Sequence, residues 1–170
     1  MRILLTLLFF LTIGVPTAKA CRCVVGDVKT EFNRTDVIVH GKVLSKTIVS
    51  YSNTLTTEKL KAFREEYKSD SLKLATLDSE SLIKIELEVI ELYKGKKLNK
   101  KIVVYTHWSS TACGFTGFKV GDEFLTYMYF KPAHESDETN SNQELWTNSC
   151  MRTKKFDKSE HEKLCELING

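Results

Sequence analysis

The sequence predicts a mainly β domain that ends in a helix. Short segments of alternating apolar and polar residues recur along the chain, glycine-containing turns separate them, and helices do not alternate regularly with strands. The predicted strands cover residues 37–43, 83–89, 102–106, 123–130 and 144–147. Five short strands without βαβ units favour a small Greek-key barrel of the OB type.

The clearest strand covers residues 83–89, where four apolar residues alternate with charged ones, the period of a half-buried strand. The apolar positions then shift at Ile90, which predicts a β-bulge. Gly41 predicts another bulge or bend in the first strand, where a barrel would curl. Turns are predicted at residues 94–96 and 120–122, each with a central glycine.

The segment 52–81 separates the first two strands as an insertion. Its residues 58–68 place Leu60, Phe63 and Tyr67 on one face, which predicts a short amphipathic helix or a mobile excursion. At the C-terminus, Asp157 is an expected N-cap, and the closing helix it begins has an apolar face. That face consists of Leu164, Leu167 and Ile168.

The first twenty residues predict a signal peptide. Arg2 is followed by an apolar run over residues 3–15, and Ala18-Lys19-Ala20 forms a cleavage site. The run of about 13 residues is shorter than the roughly 20 that a bilayer requires, so we expect no membrane anchor. We therefore expect a secreted, extracellular protein with one domain over residues 21–170; in a bacterium the periplasm or cell surface is the alternative.

Charge argues against nucleic acid as a partner. The whole chain has a net charge of +3, and cleavage after Ala20 removes Arg2 and Lys19. The mature chain then has 23 basic and 22 acidic residues, a net charge of +1. Such a balance offers no basic groove for a phosphate backbone. We expect a monomer that binds neither nucleic acid nor membrane.

Five cysteines remain after cleavage: Cys21, Cys23, Cys113, Cys150 and Cys165. In an oxidising compartment, disulfides are the first interpretation. A bond between Cys21 and Cys23 would be strained, because one residue separates them. We expect each to reach a distant partner, and the residues alone leave the connectivity open.

Catalytic motifs are not found in the sequence, and we predict neither an enzyme nor a cofactor. The stretch His161-Glu162-Lys163-Leu164-Cys165 differs from a zinc-enzyme motif at its fifth position, and we interpret it as a solvated helix face. His40, His107 and His134 are interpreted as ordinary surface or strand residues. No metal bound by the protein itself is predicted.

Cys21 could nevertheless act on a metal held by another protein. A free α-amine has a pKa near 7.7 to 8.0, so part of it is neutral at physiological pH. Its nitrogen and the Cys21 carbonyl oxygen can close a five-membered chelate on a catalytic zinc, whose fourth position is open. Disulfides at Cys21 and Cys23 would supply the rigidity that this needs. The alternative is that these bonds merely tether a strand.

The mature chain resembles the netrin-like domain of the tissue inhibitor of metalloproteinases family. The resemblance extends over most of residues 21–170, with the segment 52–81 as the main insertion. It rests on motifs in family order: Cys21-Arg22-Cys23, then segments 35–43 (TDVIVHGKV), 92–95 (LYKG), 112–115 (ACGF), 120–125 (VGDEFL) and 148–153 (NSCMRT).

The resemblance implies a five-stranded OB barrel with Cys21 bonded to Cys113 and Cys23 bonded to Cys150. Cys165 is then unpaired. It also implies an inhibitor whose partner is a zinc metalloendopeptidase, with the Cys21 amine and carbonyl chelating the protease zinc.

In that picture Arg22 enters the specificity pocket, and Cys23, Ala112 and Cys113 form the contact ridge. A cation at the Arg22 position is expected to need an acidic partner in the target pocket. Asn33 begins a glycosylation sequon, which applies in a eukaryote. The alternative function is a non-inhibitory secreted binding or adhesion module that uses the segment 52–81 or the barrel face.

Overall fold

The computed structural model describes residue 21, residues 23–131 and residues 144–170. The predicted signal peptide, Arg22 and His134 lie outside these ranges. The helices are α1 (Val28–Arg34), α2 (Thr57–Glu66), α3 (Ser71–Asp78) and α4 (Lys158–Asn169). The strands are β1 (Val37–Ser50), β2 (Glu80–Lys94), β3 (Lys101–His107), β4 (Glu123–Lys131), β5 (Glu144–Trp146) and β6 (Lys154–Lys155).

Five strands form a closed ring. β1 pairs antiparallel with β2, and β2 pairs antiparallel with β3. β3 pairs in parallel with β5, β5 pairs antiparallel with β4, and β4 returns antiparallel to β1. Residue Ile38 illustrates the closure, since it lies opposite Lys94 of β2 and Tyr127 of β4. The predicted mainly β chain with a C-terminal helix is confirmed.

The ring interior is an apolar core to which every ring strand contributes. Burying these side chains removes apolar surface from water, the main favourable contribution to folding. Three phenylalanines meet at one side of this core, with Phe118 centred 4.9 Å from Phe115 and 4.8 Å from Phe124. The buried members are Val37, Val39, Val43, Ile83, Ile85, Leu87, Ile102, Val104, Phe118, Phe124, Met128 and Leu145.

A second apolar cluster lies between the outside of the ring and helices α1 and α4. Leu164 of α4 is fully buried there beside Tyr127 and Tyr93 of the sheet, with Val28 of α1 in the same cluster. Asp157 caps α4 as expected, since its carboxylate accepts hydrogen bonds from the amides of Ser159 and Glu160. Ile168, which we expected on the apolar face, remains 47 % exposed in the last turn.

The irregularities predicted at Gly41 and at Ile90 are one β-bulge. The pairing of β1 with β2 shifts register between His40 and Gly41, where Ile90 of β2 is the extra residue. An added Cβ at Gly41 would lie 3.3 Å from the carbonyl oxygen of Glu88, so the close approach of the two strands suits glycine. Extra residues increase the local twist, which helps a five-stranded sheet to close on itself.

The segment between β1 and β2 contains a 3₁₀ turn (Tyr51–Thr54) and two α-helices. The expected helix is α2, with Phe63 and Tyr67 in ring contact at 4.6 Å. Helix α3 was not predicted, and only Leu77 of its residues is buried. Within the described ranges, no helix combines the length and apolar character that crossing a membrane requires.

Candidate functional site

Two disulfides fix the start of the described chain. Cys21 is bonded to Cys113, with Cα atoms 5.7 Å apart across 92 residues of sequence. Cys23 is bonded to Cys150, with Cα atoms 4.8 Å apart across 127 residues. These are the two pairs that the family resemblance implies. Residues 21 and 23 are therefore held between the segment after β3 and the segment after β5.

The Cys113 side of this site is a tight turn that begins with a single helical turn over residues 110–112. Cys113 has a left-handed backbone (φ 58°), which is uncommon for a residue with a side chain. Its amide donates to the Ser110 carbonyl at 3.1 Å, and the Gly114 amide donates to the Ser109 carbonyl at 2.9 Å. The Cys21 sulfur lies 3.6 Å from the carbonyl oxygen of Thr111.

Gly114 is required for the turn to lie against the end of β3. A Cβ at this position would lie 1.8 Å from the carbonyl oxygen of His107, far inside any permitted contact. Phe115 then donates its amide to the buried hydroxyl of Thr106 at 2.8 Å, which fixes the chain as it leaves the turn. Cys113 is thus placed by the backbone on both sides.

The second disulfide is tied to the first through the backbone. The Ser149 amide donates to the Cys113 carbonyl at 2.8 Å, and the Asn148 side chain accepts from the Cys150 amide at 2.8 Å. Arg34, at the end of α1, donates from its guanidinium to the Cys150 carbonyl at 2.8 Å. Both anchor points for the N-terminal segment therefore belong to one connected unit.

Glu31 of α1 anchors the segment that follows Cys23. Its carboxylate is fully buried and accepts from the Gly26 amide at 2.6 Å and from Arg34 Nε at 2.8 Å. Asp27 begins α1 by accepting from the Thr30 amide, and this hydrogen bond holds the pKa of Asp27 below its ordinary value. The chain between Cys23 and α1 therefore has fixed polar partners.

Arg152 connects this segment to α4. Its guanidinium donates to the Gly26 carbonyl at 3.0 Å and pairs with buried Glu160 at 2.8 Å. The Tyr127 hydroxyl donates to the same carboxylate at 2.8 Å, and Lys154 lies 3.3 Å from it. Burial raises the pKa of Tyr127 well above its ordinary value, and the Glu160 hydrogen bond raises that of Arg152.

The surface beside Cys21 is exposed and partly apolar. Val24 is 89 % exposed immediately after the second cysteine, and Trp108 is 55 % exposed between β3 and the Cys113 turn. Ala112, predicted as part of a contact ridge, is exposed, while Cys23 and Cys113 are half-buried. Because the first disulfide joins Cys21 to the residue after Ala112, this part of the predicted ridge lies next to Cys21. Arg22 lies outside the described residues.

An apolar groove lies between helices α2 and α3 and the end of β3. It has a volume of about 410 Å³ and is lined by Tyr51, Phe63, Leu72, Leu77 and His107, among others. The Trp108 amide donates to the Ser81 carbonyl at 3.0 Å, so the groove lies on the same strand end that leads to Cys113. Arg64 and Asp78 join α2 to α3 through an ion pair of 2.7 Å.

The other predicted residues have separate positions. Cys165 is the free cysteine and is half-buried on α4. Asn33 is exposed on α1. His40, interpreted from sequence as an ordinary residue, is buried beside Glu123, with Nε2 2.8 Å from the carboxylate. His107 lines the groove and contacts the ring of Trp146 at 5.9 Å.

Sequence reasoning missed the polar anchors Glu31 and Arg152. A local signal existed for the helix that carries Glu31, because Asp27 is a preferred N-cap residue and Glu31 is an acidic residue in the first turn. For Arg152 there was no local signal, since its partner Gly26 lies 126 residues away in the sequence. Comparison with protein-family models gives no match, and neither does comparison with curated proteins.

Proposed function

We propose that the mature chain is a secreted inhibitor of zinc metalloendopeptidases, similar in mechanism to the tissue inhibitors of metalloproteinases. The inhibitor's reactive group is the N-terminus created by cleavage before Cys21. The observation that carries the proposal is the double anchoring of this terminus, with Cys21 bonded to Cys113 and Cys23 bonded to Cys150. Such disulfides are typical of proteins from oxidising compartments.

The proposed chemistry needs only the main chain of Cys21. Its neutral α-amine and its carbonyl oxygen chelate the target's zinc and displace the water that would attack a substrate. A flexible terminus would lose much of the binding free energy on ordering. Here the disulfides and the contacts of Gly26 with Glu31 and Arg152 provide order before binding.

The fold supports the proposal at the level of architecture. The ring order β1-β2-β3-β5-β4, with its return to β1, agrees with the five-stranded OB-type Greek-key barrel that the resemblance implies. In the proposed complex, Arg22 enters the pocket beside the zinc, and the exposed Ala112 contacts the protease together with Cys23 and Cys113. The preferred target is then a protease whose pocket contains an acidic group.

The test is inhibition of a panel of zinc metalloendopeptidases by protein that starts at Cys21, as verified by mass spectrometry. The matched control carries one extra alanine before Cys21. The Cys21 nitrogen then belongs to a peptide bond and cannot chelate, while the disulfides are left intact. We expect inhibition by the first protein only. Equal inhibition by both proteins, or none by folded and fully oxidised protein, would contradict the proposed chelate.

The pocket assignment has its own test. Arg22→Thr shortens the side chain without changing the chelating groups. We expect the variant to lose affinity for targets with an acidic pocket and to gain affinity for targets with an apolar one. Unchanged selectivity across the panel would show that Arg22 does not enter the pocket.

A second candidate function is a non-inhibitory binding or adhesion module. It is favoured by the open groove of about 410 Å³ beside α2 and α3, where Leu72 is 76 % exposed. Charge reversals in the segment 52–81, at Lys59, Arg64 and Glu65, would then change partner binding, while blocking the Cys21 amine would have no effect. The matched control is Lys97→Glu. Lys97 lies in the turn after β2, at the opposite end of that strand from α2 and α3.

A further inference from the structure

We propose that the outer face of the ring carries a zinc site of its own, formed by Glu91, His161 and Cys165. Glu91 belongs to β2, and the other two residues lie four apart on α4, so they share one face of that helix. The site is independent of the proposed inhibition, because it uses neither Cys21 nor the target's zinc.

The three side chains lie close enough together to share one tetrahedral ion. The Cys165 sulfur lies 3.8 Å from His161 Nε2, the nitrogen that would bind the metal. Glu91 Oε2 lies 3.5 Å from Nδ1, the other nitrogen of the same ring. One ring nitrogen of His161, the Cys165 sulfur and a Glu91 carboxylate oxygen lie within 4.8 Å of one another. Zinc bonds of about 2.3 Å to sulfur and about 2.0–2.2 Å to nitrogen and oxygen give tetrahedral edges of about 3.4–3.6 Å.

Tyr93 supplies the outer hydrogen bond that a metal-binding histidine usually has. Its hydroxyl oxygen lies 2.6 Å from His161 Nδ1, and the side chain is almost fully buried in β2. When Nδ1–H donates to this oxygen, the lone pair of Nε2 is free for the metal. This arrangement fixes both the tautomer and the orientation of the ring.

The ligand set indicates which ion binds. A thiolate, an imidazole and one carboxylate favour zinc or a similar borderline ion over calcium or magnesium, which take oxygen ligands. Glu91 is 42 % exposed and His161 is 29 % exposed at the side chain, so solvent or a ligand atom from outside can complete the fourth position. Within the stretch interpreted from sequence as a solvated helix face, Glu162 and Lys163 are exposed, while His161 and Cys165 are half-buried.

Co²⁺ is the first probe, added to the fully oxidised mature protein purified without reducing agent under argon. We expect a single bound ion with a thiolate charge-transfer band and the strong visible absorption of a four-coordinate site. Zn²⁺ should displace it and raise the melting temperature relative to protein in EDTA. Calorimetry then gives the zinc affinity of each variant.

Four variants locate the site. Cys165→Ser should abolish the thiolate band, and His161→Ala should weaken zinc binding by more than 100-fold. Tyr93→Phe should weaken it by about 10- to 100-fold, the usual effect of losing an outer hydrogen bond. Glu162→Gln is the control, since this exposed neighbour of His161 should leave the affinity unchanged.

A last control separates this site from the N-terminus. Protein with one extra alanine before Cys21 should bind zinc as tightly as the mature form. Metal binding that depends on the free amine, or that survives Cys165→Ser unchanged, would overturn the proposal. The same holds if no thiolate band forms, or if mass spectrometry finds Cys165 in an intermolecular disulfide.

Discussion

Replacing Glu160 by glutamine should cause a large loss of stability, because its carboxylate is the common acceptor of three donors. The side chain is 3 % exposed and lies 2.8 Å from the Arg152 guanidinium, 2.8 Å from the Tyr127 hydroxyl and 3.3 Å from Lys154 Nζ. The amide keeps the shape but removes the negative charge. It also turns an N–H₂ group toward groups that are themselves donors.

The magnitude follows from burial. Breaking a buried charge pair by removing one partner costs about 3–5 kcal/mol, because the remaining charge is left uncompensated. Arg152 keeps its bond to the Gly26 carbonyl and is 27 % exposed, and Lys154 keeps Asp157 and is 38 % exposed. Both cations therefore retain other partners and some water, so we expect the lower end, about 3 kcal/mol.

Urea unfolding followed by circular dichroism measures this loss as a change in midpoint at constant slope. Tyr127→Phe removes one donor and leaves the carboxylate paired, so it should cost less, about 1.5–3 kcal/mol. Glu162→Gln, exposed on the same helix, should change stability by less than about 0.5 kcal/mol. A loss below about 1 kcal/mol for Glu160→Gln would refute the reasoning, since the carboxylate would then not hold the cluster together.

Three further predictions concern the anchors of the fold. Removing the second disulfide with Cys23→Ser and Cys150→Ser should lower the free energy of unfolding by about 4 kcal/mol, measured by urea unfolding. With the first disulfide intact, the second closes a loop of about 40 residues in the unfolded chain. A loss below about 1 kcal/mol would contradict this. Gly114→Ala should sharply reduce the yield of correctly oxidised protein, because the new Cβ would lie 1.8 Å from the His107 carbonyl oxygen; normal yield would contradict it. Asp157→Asn should destabilise the protein at neutral pH only. The Lys154 hydrogen bond lowers the pKa of Asp157, so its contribution is present above the unfolded pKa and is lost as the pH falls through the folded pKa; an equal effect in acid would contradict this.

Much of the sheet could be predicted because its signals are local. Alternation over residues 83–89 reports a half-buried strand directly, and the shift at Ile90 together with Gly41 located the bulge in the β1–β2 pairing. Asp157 was recognised as a helix cap from its position before an apolar periodic segment. Strand lengths were underestimated, since the outer half of β1 up to Ser50 contains no buried residue beyond Val43 and carries a weaker pattern.

The helices that were missed are short and bury few side chains. Helix α1 has seven residues, and its buried Glu31 is stable only because Gly26 and Arg34 surround the carboxylate. In α3 only Leu77 is buried while Leu72 is 76 % exposed, so no clear apolar face marks the sequence. Neither arrangement leaves a periodic signal.

The residues of the two sites also differ in how far the sequence could predict them. The spacing of the cysteines left their connectivity open. Only the family resemblance implied that Cys21 pairs with Cys113 and Cys23 with Cys150. The spacing of His161 and Cys165 is visible in the sequence, but Glu91 joins them only because α4 packs across β2, about 70 residues away in sequence. Convergence of distant segments is a property of packing, which no local pattern reports.

The long β1–β2 hairpin has a consequence for association between copies. Lys42 is the last residue of β1 that pairs with β4, so among the described strands the outer half of β1 pairs only with β2 and is an open edge strand. Such edges invite a second chain to add its own strand. Lys46 belongs to this edge segment, and its ammonium group donates to the carbonyls of Thr116 and Phe118 at 2.9 and 3.1 Å. A charged lysine on an edge strand is a feature by which natural proteins disfavour edge-to-edge pairing, and here it lies two residues from the exposed Ile48.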